Sequence, residues 1–163
     1  MSHMIIDLRT CTDRKSGEYS IVSSFCGRAY KLFRSKPEVP PRRMKEGRRE
    51  IFLRQCEAYR VASSFVYLAK HIPAYFGTIT IDDVIGESGE SIKDDFLLDC
   101  CYVTEQLDGA EYKVTAANVL ENYPHVAEER KRMENYRIRT MDASVFYADD
   151  PERFKIIDFE MEF

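Results

Sequence analysis

The alternation of apolar and polar positions predicts strands at the start of the chain, and a three-and-four spacing then predicts helix. Met4 to Thr10 and Glu18 to Ser24 carry strand character, and the turn-forming run Thr12 to Gly17 between them predicts an antiparallel hairpin. After a short break at Phe25-Cys26-Gly27, the segment Arg28 to Phe33 continues the meander as a third strand. Phe52, Cys56, Tyr59 and Ala62 then fall on one face of a helix, expected over 43–64. Two further strands are expected at 73–80 and 96–106, joined by the acidic, glycine-bearing stretch 81–95, which has the character of a loop. Thr115 to Asn122 and His125 to Asn135 read as short helices separated by Pro124, with Val126, Met133 and Tyr136 inward. Ser144 to Tyr147, a polar turn at 148–153 and Phe154 to Phe159 close the chain as a second hairpin. The expected fold class is α+β: strands 4–10, 18–24, 28–33, 73–80 and 96–106 in one antiparallel sheet, with the helix packed on it.

Composition narrows the partners. At 163 residues the chain has the size of one domain with a sizeable core. A net charge of −4 argues against nucleic acid or a membrane surface as a general partner. No apolar run approaches the roughly 20 residues of a membrane span, so the expectation is a soluble, cytoplasmic protein. Met1-Ser2-His3 reads as a vector remnant ahead of Met4. Cys11, Cys26, Cys56, Cys100 and Cys101 form no C-x-x-C pair, which favours reduced, partly buried thiols over a disulfide framework or a zinc site. His71 and His125 lack neighbours at triad spacing and read as surface or capping histidines.

Three features carry candidate chemistry. In Phe154-Lys155-Ile156-Ile157-Asp158-Phe159-Glu160, apolar residues flank an acid at the end of a strand. Asp158 either caps a turn or is a desolvated carboxylate that needs a metal ion, a lysine or a backbone amide. Lys31 is either a solvent-facing strand lysine or a cation for an anionic ligand. The stretch 34–49, with Arg34, Lys36, Arg42, Arg43, Lys45, Arg48 and Arg49 around Pro37, Pro40 and Pro41, is either a solvated linker or a docking patch for an acidic partner.

The closing hairpin with its Asp158-Phe159-Glu160 ending resembles the segment that closes the active site of protein-kinase-like phosphotransferases, and the Asp-Phe-Glu form is similar to that of choline-kinase-like members. Ala29-Tyr30-Lys31-Leu32-Phe33 resembles the V-A-I-K strand of that superfamily, Ile72 to Thr80 its fourth strand, and Phe96 to Gly109 its fifth strand and hinge. The resemblance implies a protein-kinase-like fold: a five-stranded antiparallel nucleotide-lobe sheet with one packed helix over 4–109, and a much reduced helical C-terminal lobe over 110–163. It implies ATP and Mg as cofactors. Lys31 would bind the nucleotide phosphates, and backbone groups from Glu105 to Leu107 would meet adenine. Asp158 would hold the metal, with Ser144 in the place of the family's Asn and Glu160 as a further ligand.

The chain departs from this pattern where catalysis is concerned. Residues 11–17 offer only Gly17 in place of a Gly-rich loop, and Gln55 stands where the helix glutamate belongs. Counting back from Ser144, Arg139 occupies the position of the catalytic Asp, and an arginine stays protonated and accepts no proton. Asp142 is the nearby acid, either a turn-capping residue or a relocated base. Two functions are therefore expected as alternatives. One is a catalytically impaired kinase-like binding or regulatory module with a protein partner, suited to bacterial or phage conflict. The other is a minimal ATP-dependent phosphotransferase using Lys31 and Asp158.

Overall fold

The computed structural model of the chain describes residues 4–35 and 47–162. The reading of 1–3 as a vector remnant, and most of the basic linker, lie outside them. Two compact units are present, one of residues 1–53 and 76–106, the other of 54–75 and 107–163.

The first unit is built on a five-stranded antiparallel sheet. Its members are β2 (Asp13–Ser16), β3 (Ser20–Phe25), β4 (Arg28–Arg34), β5 (Tyr75–Ile79) and β7 (Phe96–Glu105), in the order β2-β3-β4-β7-β5. β3 and β4 are joined by a two-residue turn in which Cys26 and Gly27 both take positive φ, 50° and 78°. That backbone matches the right-handed twist of the flanking strands, and glycine at the second position adopts it without steric cost.

Alternation along the strands gives the sheet two apolar faces. Ile21, Leu32, Phe96 and Cys101 pack on one side with Ile6, Ile81 and Val84. On the other, Phe33 meets Phe52 with ring centroids 5.5 Å apart, and Tyr102 stacks on Phe52 at 6.4 Å. Phe52 belongs to α1 (Arg48–Ser63), so the start of the expected helix, which lies in this unit, packs on the sheet. Its Phe52, Tyr59 and Ala62 are buried as the spacing requires.

Two expectations fail here. The first segment does not pair with 18–24. Instead β1 (Ile5–Asp7) runs parallel to β6 (Asp83–Ile85), with Ile6 opposite Val84 and both fully buried. The stretch 81–95 is thus more than a loop, because Ile81 and Val84 supply core and Lys93–Asp95 form a 3-10 turn. The supposed turn residues 13–16 form the edge strand β2 in its place. All four are exposed, so no hydrophobic alternation marks this strand. Its place in the sheet comes from backbone pairing with β3, and its charges discourage pairing with a further chain.

The second unit combines short strands and helices. β8 (Glu111–Lys113), β10 (Ser144–Phe146) and β11 (Lys155–Ile157) form an antiparallel sheet in the order β11-β10-β8, and β9 (Ile138–Arg139) pairs with β12 (Glu160–Met161). The closing hairpin therefore forms as expected. α2 (Val66–Ala69), α3 (Ala117–Asn122) and α4 (Pro124–Glu134) complete the unit. Pro124 opens α4, where its missing N–H leaves no helical bond unmade. Val126 and Met133 are buried as expected, together with Phe154, Ile156 and Phe159. None of the five cysteines is joined in a disulfide. Among the described residues no helix is long and apolar enough to cross a membrane.

Candidate functional site

The candidate residues divide between the units. Lys31 and Glu105 belong to the first; Leu107, Asp142, Ser144, Asp158 and Glu160 belong to the second.

In the first unit, β4 and β7 are neighbours, which brings the lysine strand beside the hinge-like strand. Lys31 lies directly opposite Tyr102 on the face that α1 covers. It is half-buried, with Nζ 5.7 Å from the Phe33 ring centroid and 5.8 Å from that of Tyr102. An ammonium over aromatic faces is favoured electrostatically. Glu105 pairs with Arg28 at the end of the same ladder, and by alternation its side chain stands on the opposite face from Lys31. The backbone here is already engaged: the Thr104 hydroxyl donates to the Glu105 carbonyl at 3.1 Å, and the Gln106 N–H donates to the Gly27 carbonyl at 2.9 Å. A carbonyl has a second lone pair to offer, whereas the Gln106 donor is committed. Leu107 is half-buried at the start of the second unit.

The turn between β2 and β3 is no anion cradle. Arg34 donates from Nη2 to the Ser16 hydroxyl at 2.5 Å and from Nε to the Gly17 carbonyl at 3.2 Å. The turn thus presents oxygens to a cation, the reverse of what a phosphate requires.

In the second unit the hairpin brings Ser144 opposite Ile157, the residue before Asp158. Asp158 leaves the strand with φ +62°, a left-handed conformation that Asp tolerates better than most residues, and it is half-buried. Phe159 behind it is fully buried against Tyr59, ring centroids 4.6 Å apart, and Tyr59 stacks in turn on Tyr75 at 5.1 Å. This apolar anchor holds the Asp158 backbone at the end of β11.

The other candidate residues are placed less favourably. Ser144 is only 1% exposed, so its hydroxyl is closed off from a solvated metal ion. Asp142 is exposed in a turn, where its carbonyl accepts a hydrogen bond from Lys113 Nζ at 3.0 Å. Glu160 pairs across β12–β9 with Arg139 and forms an ion pair with it at 3.7 Å. Among the described residues no group of three or more His, Cys, Asp or Glu side chains is arranged to hold a metal ion.

Two buried titratable residues escaped the sequence reading. His71, expected at the surface or as a cap, is 7% exposed and stacks on Phe154, ring centroids 3.9 Å apart and planes 10° from parallel. Its Nδ1 donates to the Phe154 carbonyl at 2.9 Å, and its own carbonyl accepts the Ile156 N–H at 2.8 Å. Burial pushes its pKa below the ordinary histidine value, opposed by the Phe154 carbonyl. The signal available in the sequence was its apolar setting, between Leu68 and Ile72, both buried. Glu129 on α4 is 2% exposed, and burial raises its pKa against the pull of Arg132, which donates to Oε2 at 3.3 Å. No motif marks it, because the helical pattern around it is strongly charged.

Comparison with protein-family models, with curated proteins and with solved structures returned no match.

Proposed function

We propose that the chain is a catalytically impaired kinase-like domain that acts by binding a protein partner. The Arg139–Glu160 ion pair carries this reading. The position that the resemblance assigns to the proton acceptor holds a permanent cation, and a candidate metal ligand neutralises it. Phosphoryl transfer depends on positioning and charge neutralisation, so an arginine tied up in an ion pair where a proton acceptor is required removes most of the catalysis. The burial of Ser144 and the exposure of Asp142 support the same conclusion. The adjacent β4 and β7 strands, with half-buried Lys31 facing α1, support the kinase-like part of it.

The expected result is no transfer of labelled γ-phosphate to the chain or to candidate substrates, with magnesium or with manganese. One observation favours the second reading, a minimal phosphotransferase: the strand-end Asp158, held in a left-handed conformation by the buried Phe159. Turnover that disappears in Asp158→Ala would replace the first reading with that one. A melting temperature unmoved by MgATP would remove nucleotide binding from both, since a ligand at 100-fold excess over Kd stabilises the fold by about 2.7 kcal/mol.

A further inference from the structure

β11 lies at the edge of its three-stranded sheet, and the two rows of backbone groups along it meet different partners. Antiparallel pairing with β10 sets Lys155 opposite Phe146 and Ile157 opposite Ser144. Phe154 and Ile156 alternate with them, so the Phe154 carbonyl and the Ile156 N–H point away from β10. One residue takes up both groups. His71 Nδ1 donates to the Phe154 carbonyl at 2.9 Å, and the His71 carbonyl accepts the Ile156 N–H at 2.8 Å. Lys155 Nζ adds a bond to the Lys70 carbonyl at 2.8 Å. Residues 70 and 71 thus close the outer edge of β11, and the closure depends on where a single imidazole sits.

That imidazole is poorly placed to carry a charge. Its Nδ1–H is fixed by the carbonyl, so a second proton goes to Nε2, on a ring that is 7% exposed and lies flat on Phe154. Burial disfavours the cation most, and Lys70 and Lys155 add to it; the Phe154 carbonyl and Glu152 act the other way. The Glu152 carboxylate is itself held by Lys70 Nζ at 2.7 Å. Beyond the Phe154 ring stands His125 of α4, whose Nε2 donates to the Ala148 carbonyl at 2.6 Å, and α4 also carries Glu129, bonded to Arg132. A protonated ring is therefore better solvated outside the stack than in it.

We propose that His71 is an acid-released latch: on taking up a second proton its ring swings into solvent and frees the outer edge of β11, while the ladder to β10 stays closed. The freed edge presents an unpaired carbonyl and N–H, the template on which another extended segment pairs. This device is independent of the kinase-like reading, which concerns a nucleotide.

Amide hydrogen exchange of the full chain, resolved by residue with NMR between pH 7.5 and pH 5.5 and corrected for the intrinsic pH dependence of exchange, tests it. Ile156 reports the latch, and Ile157, whose N–H faces β10, reports the ladder beside it. The latched ring titrates below the released one, so the closed form is fully favoured above about 6.5 and loses ground as pH falls, making opening up to about tenfold more favourable across this range. Ile156 protection should fall accordingly while Ile157 protection holds. His71→Asn keeps an N–H donor in the place of Nδ1 but does not titrate, so its Ile156 protection should be the same at both pH values, with Ile157 confirming that the hairpin is folded. A wild-type change at Ile156 smaller than about twofold, loss of protection at Ile156 and Ile157 in step, or the same acid loss in His71→Asn would overturn the proposal.

Discussion

Replacing His71 by phenylalanine separates its two contributions to the second unit. The ring stack on Phe154 survives the change, whereas the donor to the Phe154 carbonyl is lost. Phe154 is 2% exposed, so its carbonyl gains little from solvent. A buried acceptor left unsatisfied costs about 1–3 kcal/mol. With an m-value of about 2 kcal/mol per molar urea, typical of small proteins, a cost of 2 kcal/mol lowers the unfolding midpoint by about 1 M.

The pH dependence supplies the sharper readout. Burial depresses the folded pKa of His71 below the unfolded value, with Lys70 and Lys155 acting in the same direction and Glu152 and the Phe154 carbonyl against it. The stability tied to the neutral ring is therefore complete above the unfolded pKa near 6.5. It is lost as pH falls from there through the folded pKa. His71→Phe cannot titrate, so its deficit relative to wild type should be largest at pH 8 and should shrink on acidification. Glu129 is common to both proteins and cancels in the difference. Urea titrations of both chains between pH 8 and pH 5 measure this, with m checked for constancy. A deficit that stays the same at every pH would show that His71 is not held neutral by burial, and the reasoning would fail.

Two further outcomes follow from the same unit. Glu129→Gln keeps a hydrogen-bonding oxygen for Arg132 but removes a buried charge; because burial raises the pKa of Glu129, its cost is absent at low pH and grows as pH rises through the folded pKa. The variant should melt higher than wild type at pH 8 and gain less near pH 4.5, and a lower melting temperature at pH 8 would contradict the assignment. Phe159→Ala removes a fully buried ring from its contact with Tyr59 and should cost about 3–5 kcal/mol. Urea unfolding with a loss below about 1 kcal/mol would mean that Phe159 does not anchor the end of β11.

What the sequence determined by itself was whatever a local period or a short turn encodes. β3, β4 and β7 alternate because one face packs on Ile6 and Val84 and the other on Phe52. The face of α1, the Pro124 helix start and the β10–β11 hairpin were legible for similar reasons. So was the apolar frame around Asp158, since Ile156 and Phe159 are both fully buried. Tertiary structure decided the rest, because pairing between distant segments leaves no period in either one. Ile5–Asp7 has the same pattern whether it joins a hairpin or runs parallel to Asp83–Ile85. The exposed strand Asp13–Ser16 has no apolar face to reveal it. The candidate site divides in the same way. Asp158 and Lys31 could be singled out from their neighbours in sequence, but the enclosure of Ser144, the pairing of Glu160 with Arg139 and the burial of His71 arise only when the chain closes on itself, because burial and ionic partners are set by what packs from elsewhere.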